Sequence, residues 1–181
     1  MLEIRTHGRG GQGVVTYGDI LAQAGLNAGF HVQTLPFFGV ERRGASIRAL
    51  LRLSETEIKK RSQCYNPDIL VLFNDNQLAE AKSIGNCDNA VVVFNSPRKK
   101  HAENHYWVVD AESIAYKYGL THGDDVFINI VMAGALAKVL KLSTEDLIAA
   151  IKTIRGVKDN DPNIKAALEA YSGVEEIGGK C

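Results

Sequence analysis

The segment Gly8-Arg9-Gly10-Gly11-Gln12-Gly13 fits GxGxxG, and it lies between a strand-like stretch, Leu2 to Thr6, and a run of helical periodicity that begins at Val14. In that setting glycines let the backbone turn tightly and come close to a ligand, while free amides at the helix start attract an anion such as phosphate. The six residues Gly8, Arg9, Gly10, Gly11, Gln12 and Gly13 are therefore the predicted phosphate or cofactor cradle. The competing reading is a turn required only for packing a strand against a helix. A dinucleotide site would also need a carboxylate at the end of the second strand, to hold ribose hydroxyls. Val32-Gln33-Thr34-Leu35-Pro36 offers none before Glu41, which counts against NAD.

A second constellation is Pro36-Phe37-Phe38-Gly39-Val40-Glu41-Arg42-Arg43-Gly44-Ala45, which runs into a segment carrying Arg48 and Arg52. Seven basic and three acidic residues fall between Glu41 and Arg61, a local excess of four. Arginine is suited to two-pronged contact with phosphate or carboxylate. Arg42, Arg43, Gly44 and Arg48 are accordingly candidates for anion contact, against the alternative of a solvated face or intersubunit ion pairs. Glu41 is read as orienting an arginine, not as an acid or base. No catalytic residue is assigned.

The remaining chemistry-bearing residues carry less. Arg98-Lys99-Lys100-His101 reads as solvated surface. His101 and His105 have helical metal-ligand spacing but no third ligand, so no metal site is predicted. Cys64 and Cys87 read as core thiols. There is no nucleophile elbow, no Walker lysine after the glycine turn and no triad.

The elements that must position these groups alternate between strand and helix. After Leu2 to Thr6 and the helix from Val14, His31 to Phe37 reads as a second strand. Ser46 to Leu53 alternates with period two, placing Ile47, Ala49, Leu51 and Leu53 on one face and Ser46, Arg48, Leu50 and Arg52 on the other. Ile69 to Phe73 and Ala90 to Phe94 are continuous apolar runs expected in strands buried on both faces. Tyr106 to Val109 is a shorter strand, followed by a helix from Ala111 to Tyr118. Val126 to Leu140 is too apolar for a surface helix, and Ser143 and Asp161-Pro162 mark the starts of two more. Gly18 and Gly25 in the first helix are expected to allow close packing on the sheet. The predicted fold is α/β: a single three-layer Rossmann-like domain over residues 1–181, with a mostly parallel sheet and helices on both faces.

Composition bounds the rest. The 181 residues hold 21 basic and 21 acidic side chains, a formal net charge of zero, which argues against general nucleic-acid binding. At 45% hydrophobic and 23% charged, the chain is expected to be globular. Its three cysteines, Cys64, Cys87 and Cys181, are scattered and odd in number; they fit a reducing compartment and leave no set for an iron–sulfur cluster ligated by this chain alone. The N-terminus lacks the apolar stretch of a signal peptide, and Asn129 and Lys138 interrupt Val126 to Leu140, so no membrane span is expected and the cytoplasm is the predicted location.

Three stretches carry a family resemblance: His7-Gly8-Arg9-Gly10-Gly11-Gln12-Gly13, Phe38-Gly39-Val40-Glu41-Arg42-Arg43-Gly44-Ala45, and Asn129-Ile130-Val131-Met132-Ala133-Gly134-Ala135-Leu136-Ala137-Lys138. In this order they resemble the gamma subunit of the 2-oxoacid:ferredoxin oxidoreductases, the pyruvate type above all. The resemblance implies part of an enzyme that oxidatively decarboxylates a 2-oxoacid to acyl-CoA and CO2 and passes the electrons to ferredoxin. It implies that thiamine diphosphate, Mg and 4Fe-4S clusters reside on alpha, beta and delta-type partner subunits. This chain would then cap the active site, help to bind coenzyme A and be inactive alone, with a homodimer as one state when isolated. The reading from a different class is a free-standing Rossmann-like nucleotide-binding oxidoreductase.

Overall fold

A computed structural model of the chain describes residues 1–38, 45–97, 106–123 and 125–178. The elements run β1 (Leu2–Arg9), α1 (Val14–Asn27), β2 (His31–Phe38), β3 (Ser46–Ser54), β4 (Ile69–Leu72), α2 (Leu78–Ile84), β5 (Val91–Asn95), β6 (Tyr106–Val109) and α3 (Ala111–Lys117). They continue with a small hairpin of β7 (Thr121–His122) and β8 (Asp125–Val126), then α4 (Asn129–Val139), α5 (Thr144–Arg155), α6 (Pro162–Gly173) and β9 (Glu175–Ile177).

Seven strands form the main sheet in the order β2-β3-β1-β4-β5-β6-β9. β1, β4, β5 and β6 are mutually parallel, whereas β3 is antiparallel to both β1 and β2, and β9 to β6. Five strands thus share one direction, as a mostly parallel sheet requires, but β3 is inserted between the first two of them. That insertion has a sequence cause. Only seven residues, 39–45, separate β2 from β3, enough for a hairpin connection but too few for the crossover that a parallel neighbour needs.

The helices cover the sheet unequally. Residues of α1, α3, α4, α5 and α6 form one continuous core with Ile4, Ala49, Leu51, Leu53, Val71 and Val93. α4 is buried around nearly its whole circumference, and Gly134 lets it approach Ala167 of α6 so closely that a methyl group there would strike the Ala167 carbonyl. On the other face α2, alone among the described helices, packs through Ala81 on Leu70, Leu72, Phe94 and Val108. Gly25 serves the predicted close packing of α1, since a Cβ there would lie 2.7 Å from Leu53 and 3.1 Å from Val32; Gly18 faces Thr34 at a looser 3.4 Å.

Two element bounds need correction, and one arginine has an unforeseen setting. β1 continues to Arg9, because Gly8 and Arg9 still pair with Ile47 and Ser46 of β3. The buried helix begins at Asn129, not Val126, because Asp125 and Val126 belong to β8. Arg52, on the strand face opposite Ala49 and Leu51, is fully buried, donating to Glu3 (2.8 Å), Gln33 (2.5 Å) and the carbonyls of Lys60 and Ser62. Burial works against the ionised Glu3, but hydrogen bonds from Lys60 and Arg52 outweigh it and hold the carboxyl below its ordinary pKa.

Candidate functional site

The carboxyl ends of the parallel strands are where α/β sheets bind ligands, and β1 delivers the glycine turn there. Gly8 is still strand, and its lack of a side chain is spatial: a Cβ would fall on Val14 Cγ2, so the start of α1 could not sit against β1. The turn is braced from within. Gly10 N–H donates to the Ala45 carbonyl (2.8 Å), Gln12 N–H to the Arg9 carbonyl (3.1 Å), and the Gln12 side chain accepts from Arg9 N–H (2.8 Å). Three amides of the predicted cradle, those of Arg9, Gly10 and Gln12, are therefore committed to the chain itself, and Gln12 holds the shape of the turn. What helix geometry leaves open are the first amides of α1, at Val14, Val15 and Thr16; from Tyr17 onward the ladder closes, with Tyr17 N–H donating to Gly13.

Gly13 caps α1 in the left-handed conformation (φ +71) and offers no side-chain oxygen to those amides. It lies against Asn129, the first residue of α4, whose own N-cap is Ile128. A Cβ on Gly13 would stand 2.5 Å from Asn129 Nδ2. Two helix starts without side-chain caps thus meet beside the glycine turn. A cleft of about 250 Å³ opens next to them, with Gly10, Gly11 and Gln12 on one side and Glu112, Asp125 and Ile128 on the other.

The β3 strand brings the second constellation to the same edge. Arg42, Arg43 and Gly44, with Glu41, lie outside the described residues, but the Gly10–Ala45 hydrogen bond fastens the end of their segment to the glycine turn. Arg48 is on the sheet face away from α1. It is directly cross-strand from both His7 and Phe37, and its guanidinium sits 5.8 Å from the centre of the Phe37 ring, a cation–π contact. Arg48 and the start of α1 therefore occupy opposite faces of one sheet edge. The structure brings Gly10 to Gly13 together with Ala45, but not with the Arg48 side chain.

Two residues that sequence reasoning left unassigned stand out. His7 is fully buried, and neither ring nitrogen has a hydrogen-bond partner. Burial, assisted by the Arg5 and Arg48 charges and opposed by Glu80, lowers its pKa from 6.5 to about 4, so the imidazole is neutral. Asn129 is buried, 7% exposed, and its side chain lies against Gly13. Its signal in the sequence was an amide inside an otherwise apolar stretch.

The donor set does not suit a bound metal or cluster. No group of three His, Cys, Asp or Glu side chains converges among the described residues. Cys64 and Cys87 are buried around Arg5, whose guanidinium donates to the Cys64 carbonyl (3.1 Å) and the Cys87 thiol (2.9 Å). Burial raises both thiol pKa values, which disfavours the thiolate a metal requires. His101, His105 and Cys181 lie outside the described residues, as does the run from Arg98. A nucleotide-binding arrangement of the Rossmann type is also disfavoured, because antiparallel β3 separates β2 from β1 and displaces the position where the ribose-binding acid would stand. No described helix is long and apolar enough to cross a membrane.

Comparison with known proteins bears on the same residues. The family model described as pyruvate ferredoxin/flavodoxin oxidoreductase matches residues 3–173. Pyruvate synthase subunit PorC of Methanothermobacter thermautotrophicus is 40% identical, over 98% of each chain. The pyruvate/ketoisovalerate oxidoreductases common subunit gamma of Pyrococcus furiosus is 37% identical, over 97% of this chain and 98% of its own. Among solved structures, pyruvate oxidoreductase subunit PORC of Thermotoga maritima superposes with a TM-score of 0.78 at 28% identity, covering 97% of both chains. With its sheet, glycine turn and buried α4 all inside the matched span, this chain belongs to the pyruvate ferredoxin/flavodoxin oxidoreductase family.

Proposed function

We propose that the chain is the gamma subunit of a 2-oxoacid:ferredoxin oxidoreductase acting on pyruvate or a closely related 2-oxoacid. Its share of the work is to bind the phosphates of coenzyme A at the edge of the active site that it caps. The relatives that match it over nearly their full length are named as gamma or PorC subunits of pyruvate and ketoisovalerate enzymes, which supports the subunit assignment. Thiamine diphosphate, Mg and 4Fe-4S clusters belong to alpha, beta and delta-type partners. There the 2-oxoacid loses CO2, two electrons leave for ferredoxin, and the acyl group passes to the coenzyme A thiol.

The observation that carries the coenzyme A reading is the start of α1, whose first amides lie open beside a glycine turn that is itself bonded to Ala45. Open amides at a helix start are one element of a phosphate site, and Arg42 and Arg43, close to Ala45 in sequence, are the candidate cations. Charge removal tests it. In the assembled enzyme, Arg42→Gln with Arg43→Gln is expected to raise KM for coenzyme A at least tenfold while KM for pyruvate holds. If affinity for coenzyme A and subunit assembly both stay at wild-type values, the role is abandoned.

A further inference from the structure

Two guanidinium groups share the sheet face opposite α1 without a counter-charge. Arg5, only 3% exposed, spends its terminal nitrogens on the carbonyls of Cys64, Tyr65 and Ala81 and on the Cys87 thiol, while its Nε–H is buried with no partner. Arg48, half-buried on the neighbouring strand, has the Phe37 ring against it. Among the described residues no carboxylate pairs with either arginine. His7 follows Arg5 by two on the same face of β1 and is directly cross-strand from Arg48, and both of its ring nitrogens are buried and unpartnered. The charges of Arg5 and Arg48 bear on it, and the one described acid that does so is Glu80 of α2, which accepts from the Ser46 hydroxyl.

Buried charges are paired as a rule, so two cations and an unpartnered imidazole set against a single acid leave an unbalanced positive field. A cavity of about 10 Å³ lies within it, lined by Arg5, Arg48, Phe37, Gln63 and Cys64. That is room for about one oxygen-sized atom. Guanidinium groups are suited to carboxylate and phosphate oxygens. We propose that Arg5 and Arg48 form an oxyanion site in which one oxygen of a carboxylate or phosphate fills this cavity, accepting from Arg5 Nε–H and from the Arg48 guanidinium. The site lies on the other face from the start of α1 and is independent of the coenzyme A reading. The oxyanion comes either from a free small anion or from an Asp or Glu side chain of a partner subunit, the second source resting on the subunit reading above.

The test titrates the full chain with sodium acetate and, separately, with inorganic phosphate, and follows the Arg Nε–H and His imidazole resonances. Saturable shifts at Arg5, Arg48 and His7 are expected with at least one ion, together with a rise in the His7 pKa, because a bound anion offsets the two cations. Arg48→Gln should weaken the ion about tenfold and Arg48→Lys less. The assembled enzyme separates the two sources. If a partner carboxylate is the occupant, Arg48→Gln loosens the hold of the other subunits on this chain and wild-type enzyme no longer responds to acetate or phosphate. If a free anion is the occupant, assembly is unchanged and the wild-type enzyme still takes up the ion. No saturable shift with either ion, together with unchanged assembly in Arg48→Gln, would overturn the site. A saturable shift of equal affinity in wild type and Arg48→Gln would place the ion elsewhere and overturn it as well.

Discussion

The starts of α3, α5 and α6 differ from those of α1 and α4 in how their first amides are satisfied. Asp110, Ser143 and Asp161 each place a side-chain oxygen on an amide two or three residues on, at 3.0, 3.0 and 2.8 Å. α1 begins at a left-handed glycine and α4 at an isoleucine, with no side-chain cap on either. A cap such as Ser or Asp stabilises a helix, so its absence from two helices that meet beside the glycine turn forgoes stability. At α3, α5 and α6 the closed starts serve the fold, whereas at α1 and α4 the first amides keep no side-chain acceptor. Even α3, whose Glu112 borders the same cleft, is closed by Asp110.

The largest expected effect lies in β1, the strand that feeds the open edge. Neutral, buried His7 has a folded pKa of about 4 against an ordinary 6.5, so between these values the unfolded chain binds the extra proton. Stability contributed by the neutral imidazole is therefore full above about pH 6.5, is lost as pH falls towards 4, and changes no further below that. At about 1.4 kcal/mol per pH unit the loss amounts to roughly 3 kcal/mol. Urea unfolding at pH 6.5, 5.5 and 4.5 should show this decline in the wild type and a shallower one in His7→Met. Parallel slopes would mean that His7 is not the buried neutral group described.

A smaller effect is expected at the closed starts. Ser143→Ala and Asp161→Ala should each cost about 1 kcal/mol in unfolding free energy. Neither should change KM for coenzyme A, since both caps lie away from the glycine turn. A change in KM from either would blur the division between closed and open helix starts.

Much of this organisation was legible in the residues. The apolar runs at Ile69 and Ala90 and the alternation from Ser46 located three strands, because burial on one or both faces imposes those patterns directly. Ser143 and Asp161-Pro162 located helix starts because capping chemistry is local. α2 was not legible: only Ala81 of its seven residues is buried, so it has no apolar stripe to read. β9 is short and begins Glu175-Glu176, with pairing to β6 supplied by the tertiary fold. The burial of Arg52 was not legible because its partners, Glu3, Gln33 and the carbonyls of Lys60 and Ser62, are distant in sequence or lie in a loop. The glycine turn was found, but that Gly10 would spend its amide on Ala45 depends on β3 pairing with β1. Asn129 was visible only as an interruption, since its meaning arises from α4 beginning against Gly13.

The most direct measurement is backbone amide exchange in the assembled enzyme, followed peptide by peptide with and without coenzyme A. The account predicts slowed exchange over residues 13–16, where the first amides of α1 gain an acceptor, and unchanged exchange over residues 143–147 at the closed start of α5. Unchanged exchange at the start of α1 under saturating coenzyme A would contradict it.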